Sequence, residues 1–173
     1  MVIYIQYTYM QLTRSIIISS SPFLVSLPFT VFDLNRFSEE QPRALWQPPD
    51  YTFGIVWPIL YASLFSFNML IFRNPSISNQ IKSFVAKHTL IEAGLQGLWL
   101  YMFRFKKDIN DRKNSYIKGI LPMIGLVLMS WFRLKRILDT PAILPYLFLY
   151  LPYLLWINFA HILNWQLILG FTK

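Results

Sequence analysis

The sequence predicts an all-α fold, an integral membrane bundle of five transmembrane helices forming a single domain over residues 1–173, and three observations predict it. Hydrophobic residues make up 55% of the 173 and charged residues only 14%, against roughly 25% charged in an ordinary soluble domain. The charges gather in short clusters separated by long apolar runs. Those runs approach the roughly 20 residues needed to cross a hydrocarbon core about 30 Å thick, where a helix satisfies all of its own backbone polar groups. A water-soluble globule is thereby disfavoured. Disorder is excluded as well, because 15 Phe, 10 Tyr and 6 Trp are too many aromatic residues for a disordered chain. The net charge of +8 points to the lipid bilayer as partner and not to nucleic acid. With no cysteine, disulfides, thiolate metal ligands and cysteine nucleophiles drop out.

The first span is expected near residues 15–32, a stretch with Arg14 just before it and with Pro22, Pro28 and Ser19-Ser20-Ser21 inside it. A cleaved signal peptide competes there, but the basic start and short apolar centre of one are missing. The second span, residues 51–72, is charge-free between Asp50 and Arg73. Pro48 and Pro49 hold an extended approach to it, Asp50 is expected to cap the helix, and Pro58 to kink it. The third span, 81–103, contains Lys82, Lys87 and Glu92, and the fourth, 117–132, has Lys118 near its start. Both cross if the lysines reach back to the headgroups. Trp131 and Arg133 read as surface anchors. The fifth span, 145–170, lies in a run where His161 is the only group that titrates near neutral pH. Leu144-Pro145-Tyr146-Leu147 recurs as Leu151-Pro152-Tyr153-Leu154, a spacing of nearly two turns that would point both copies the same way.

An odd helix number puts seven Lys and Arg (positions 14, 73, 82, 87, 133, 135 and 136) on one side and nine (36, 43, 104, 106, 107, 112, 113, 118 and 173) on the other. That margin assigns no orientation. The basic loop from Arg104 to Lys118 reads equally as a headgroup contact or a solvated turn.

Projected at 100 degrees per residue, Phe53, Trp57, Tyr61, Leu64 and Asn68 share one face of the second span, an aromatic stripe that looks toward protein. Glu92, Gln96, Trp99 and Phe103 share one face of the third, a candidate cavity wall, with Glu92 also readable as an acid near the interface. In the fifth, Trp156, Ala160, Leu163 and Leu167 oppose Asn158, His161 and Trp165. His161 lies away from Trp156, so haem ligation by it is disfavoured against an interhelical hydrogen bond or a subunit contact. His88, beside a basic loop, reads as solvated. Two histidines and no cysteine give a metal site little support, and no arrangement of residues suggests a catalytic group.

Four segments carry a resemblance: Trp46-x-Pro48-Pro49; Phe53-Gly54-x-Val56-Trp57-x-x-Leu60-Tyr61; Leu95-Gln96-x-x-Trp99 through Phe103; and Pro152-Tyr153-x-x-Trp156-x-x-Phe159-Ala160-x-x-Leu163-Asn164-Trp165. In order and spacing the chain resembles the tryptophan-rich sensory protein and translocator protein family (TspO/MBR, the peripheral benzodiazepine receptors). The resemblance implies a five-helix, multi-pass protein of a mitochondrial outer or bacterial-type membrane. It also implies an inter-helix pocket, closed by the loop after the first span, that binds porphyrin, haem or other hydrophobic aromatic ligands, and sterols. By position it places Trp46, Pro48, Pro49, Phe53, Gly54, Trp57, Tyr61, Gln96, Trp99, Phe103, Trp156, Ala160, Leu163 and Asn164 at that pocket. No cofactor is required. Gln96 stands where the family usually has Asn, Gly97 where it has an aromatic residue, and Trp165 where it often has Tyr followed by Arg. Three functions stay open: a membrane receptor or translocator, a light-dependent porphyrin-degrading enzyme, and a structural scaffold forming a homodimer through Asn158, His161 and Trp165.

Overall fold

The computed structural model describes residues 2–31, 43–103 and 109–170, with side chains from 10–28, 43–103 and 113–170. Five α-helices account for most of them: α1 (Val2–Val31), α2 (Asp50–Arg73), α3 (Asn79–Met102), α4 (Ile109–Leu138) and α5 (Leu147–Leu169), with a 3-10 turn at Leu144–Tyr146 before the last. Among the described residues three stretches, Asp50–Arg73, Lys113–Leu138 and Leu144–Leu169, are long and apolar enough to cross a bilayer. The expected positions Phe32, Arg36, Lys173 and the loop from Arg104 to Asp108 lie outside the described residues.

Local chemistry sets the helix ends. Ser78 caps α3, its hydroxyl accepting from the Ile81 backbone N–H at 3.4 Å, and Gly170 ends α5 with φ +79°, a left-handed conformation that favours glycine. The expected Asp50 cap does not form. Pro49 holds the capping position with no side-chain bond, and Asp50 is the first helical residue, its carboxylate paired instead with Arg43. α2 runs unbroken through Pro58, which sits on its exposed side. The repeated Leu-Pro-Tyr-Leu segments are not equivalent either. The first falls in the 3-10 turn, where half-buried Tyr146 accepts a hydrogen bond from Asn74 Nδ2 at 3.2 Å, and the second places Tyr153 fully inside.

The helices close a ring in the order α1, α2, α5, α4, α3, with α2 and α3 meeting weakly across the middle. Buried positions on α2 (Leu60, Tyr61, Leu64, Phe67, Asn68, Ile71) and α5 (Tyr150, Tyr153, Leu154, Ile157, Ala160, Leu163, Asn164) follow the three- and four-residue spacing of a single helix face. Leu60, Leu64, Phe67 and Ile71 of α2 and Tyr150, Tyr153, Leu154, Ile157 and Ala160 of α5 pack with Val85 of α3 and with Met123, Leu126 and Ile137 of α4 into one core. The outward faces are as apolar as the inside: Leu121, Leu128, Phe148 and Leu155 are all largely exposed. Lipid is the solvent such faces fit, so contact packing and interhelical hydrogen bonds, more than escape from water, hold the helices together.

Candidate ligand-binding site

Phe53, Trp57 and Tyr61 recur at intervals of four, which lines their rings along one side of α2. That line faces α5. Trp57 and Trp156 meet edge to face with centroids 6.3 Å apart, Phe53 meets Trp156 at 5.6 Å, and Tyr61 stacks on Trp57 at 5.5 Å. Phe159 extends the cluster beyond Trp156 at 5.5 Å. The indoles therefore converge from separate helices, and in doing so they fill the space between them. Ala160, small and buried one turn past Trp156, leaves that side of α5 open to neighbours, and Leu163 and Asn164 continue the buried face.

The third helix enters through Gln96, whose side-chain amide donates to the Tyr61 hydroxyl. Along α3 and α5, five buried polar atoms lack a partner among the described residues: Gln96 Oε1, Trp99 Nε1, Tyr153 Oη, Trp156 Nε1 and Asn164 Nδ2. A polar group buried and unpaired costs about 1–3 kcal/mol. A ligand with acceptors and donors of its own can satisfy such atoms where it reaches them. Trp99 stacks on Phe103 at 5.4 Å, and Phe103 on Tyr116 of α4 at 5.0 Å, forming a second aromatic run.

The approach to α2 is fastened rather than loose. Arg43 pairs with Asp50, Gln47 Nε2 donates to Asp50 Oδ1 at 3.4 Å, and the Trp46 backbone N–H donates to Gln166 Oε1 of α5 at 3.2 Å. Residues 43–49 are thus tied to the C-terminal end of α5. Of the residues expected at the pocket, Phe53, Trp57, Tyr61, Gln96, Trp156, Ala160, Leu163 and Asn164 lie on the inward faces of their helices, and Trp99 and Phe103 are half-buried. Trp46 is 62% exposed, Pro49 and Gly54 are exposed and Pro48 is half-buried. A side chain at Gly54 would meet nothing within 4 Å, so no close approach requires glycine there.

The sequence reading missed the most polar part of the interior. Arg133, read as a surface anchor, is completely buried. Its Nη1 donates to Glu92 Oε2 at 2.7 Å, and its Nη2 to the Val85 carbonyl at 3.0 Å and to Thr89 Oγ1 at 2.5 Å. The guanidinium also lies over the rings of Phe67, 5.6 Å from the centroid, and Tyr150, at 5.3 Å. Tyr150 donates to the Ser130 carbonyl at 3.0 Å with Glu92 Oε1 3.4 Å from the same hydroxyl, and the Asn68 amide lies 3.2 Å from Thr89 Oγ1. Glu92 is accordingly an interior partner and not an acid at the interface. One signal pointed to it: a carboxylate inside a span needs a cation, and α4 carries one at the end of its apolar run. His88 is buried too, stacked on Phe132 at 5.4 Å, and not solvated as expected.

On the outer face of α5, Trp165 Nε1 donates to His161 Nε2 at 3.0 Å, and Asn158 Oδ1 accepts from Trp131 Nε1 of α4 at 3.1 Å. Among the described residues no group of three or more His, Asp or Glu is placed to hold a metal. Compared with known proteins, residues 20–169, nearly the whole chain, match the family model described as TspO/MBR family. No curated protein and no solved structure matches the chain.

Proposed function

Because the chain belongs to the TspO/MBR family, whose members are membrane proteins of receptor or translocator type, we propose that it crosses the bilayer with all five helices and binds a flat aromatic ligand of the porphyrin class among α2, α3 and α5. The supporting observation is the meeting of Trp57 and Trp156, indoles from two helices, beside a set of unpartnered buried donors and acceptors. A porphyrin is a flat apolar macrocycle with acceptor groups at its rim, so it pairs with indole faces and with N–H and amide groups. Since the two indoles touch, binding requires them to swing apart, and the ring–ring contact is exchanged for ring–ligand contact. Glu92 and Arg133 neutralise each other and keep α3, α4 and α5 fixed while this end of the bundle adjusts.

Titrating the purified protein with protoporphyrin and following tryptophan emission tests the reading. Saturable quenching is expected in the native protein, and the Trp57→Phe, Trp156→Phe double variant is expected to bind at least tenfold more weakly, on the order of 1.4 kcal/mol. An unchanged affinity, measured by porphyrin absorbance so that the lost fluorophores do not matter, rejects the assignment.

A further inference from the structure

We propose that the groove between α1 and α2 is a lateral port, through which a bilayer-dissolved aromatic amphiphile of the kind just described reaches the aromatic cluster, with Tyr61 as the partition. The inference rests on the binding reading above and adds the route. A hollow of about 240 Å³ opens on the outside of the bundle between Ser19, Ser20 and Phe23 of α1 and Pro58, Tyr61 and Ala62 of α2. Phe23, Pro58 and Ala62 are exposed, so the groove opens toward the lipid side of these helices. Tyr61 belongs to both compartments. It lines the groove and also stacks on Trp57, which touches Trp156. On the α1–α2 side, Tyr61 is thus the side chain between the groove and the indole of Trp57.

How Tyr61 is held suits a partition that can move. Its ring meets Phe23 of α1 at 6.0 Å, and its hydroxyl joins Gln96 of α3 and Ser26 of α1. Ser26 also donates to the Phe23 carbonyl at 2.8 Å, which holds its hydroxyl in place on α1. Swinging the ring aside breaks two hydrogen bonds and no ion pair. The groove is also not purely apolar. Ser19, 2% exposed, has a hydroxyl without a partner among the described residues, and Pro58 leaves the Gly54 carbonyl without its helical donor. Both can engage the polar edge of an entering amphiphile. The approach past residues 43–49 is instead bridged by the Arg43–Asp50 pair and the bond from Trp46 to Gln166.

Stopped-flow mixing of protoporphyrin-loaded vesicles with the full chain in nanodiscs tests the route. Ala62→Phe and, independently, Ser20→Phe are chosen to fill the groove without adding a fluorophore that absorbs with tryptophan. Each is expected to slow association and dissociation together by tenfold or more while the equilibrium constant stays within twofold, which is what a blocked passage does and a damaged site does not. Tyr61→Phe, keeping the ring and losing its two bonds, is expected to speed both. Association rates unchanged in both filling variants, with Gln166→Leu accelerating entry, would overturn the port in favour of the loop. An affinity loss at unchanged association rate would overturn it by making the groove part of the binding wall. Absence of saturable quenching in the native chain defeats the binding reading first, and the port with it.

Discussion

Arg133 decides more about this molecule than any other single side chain. It is the largest fully buried residue among those described, and its charge meets Glu92 across the α3–α4 contact. Removing one member of such a pair leaves an uncompensated charge and costs about 3–5 kcal/mol, whereas replacing both by apolar groups is often nearly neutral. Arg133→Leu and Glu92→Leu are each expected to lower the unfolding midpoint in detergent sharply, and the double variant to recover most of the loss; additive losses would show that the two act independently. The position was hard to read because a charge closing an apolar run looks like the run's boundary. α4 in fact continues to Leu138, and Arg133 lies one turn inside it. By contrast the inward stripe of Phe53, Trp57, Tyr61, Leu64 and Asn68 was legible, because a helix of known pitch fixes which residues share a face.

At the level of elements, α1 and α3 come close at Gly97. A Cβ placed on Gly97 would stand 2.3 Å from Val25 Cγ1, and a β-branched neighbour has little freedom to turn away. The sequence marked Gly97 only as a departure from the family's aromatic residue; its reason lies in a helix some seventy positions earlier, a relation that no local pattern contains. Gly97→Ala is expected to cost about 1–3 kcal/mol by overpacking, read as a lower thermal midpoint, and Val25→Ala in the same chain to restore it. No restoration would mean that the contact is not what excludes the side chain. The register of the second span was readable from its charge-free length, but the role of Asp50 was not, since its partner Arg43 belongs to the loop and not to the helix.

For the whole molecule, membership of the bundle was legible from composition and run length, but the order of the ring was not. In a membrane protein the lipid-facing and core-facing sides are both apolar, so the periodicity that sorts a soluble helix into inside and outside fades. The convergence of Trp57 and Trp156 was thus an expectation of the family resemblance and not of periodicity. The buried ion pair of Glu92 with Arg133 reaches back to how the protein is made. A lone acid or arginine at the middle of a nascent segment opposes its partition from the translocon by about 2.5–3.5 kcal/mol, and α3 also carries Lys82 and Lys87. Joined as a hairpin, α3 and α4 present a neutral pair. In a glycosylation-reporter assay α3 alone is expected to stay out of the membrane, the α3–α4 hairpin to enter, and Glu92→Leu to let α3 enter unaided. Equal insertion of α3 with and without α4 would refute this. The expected order of assembly is a third segment that waits at the membrane's edge until the fourth emerges to accompany it.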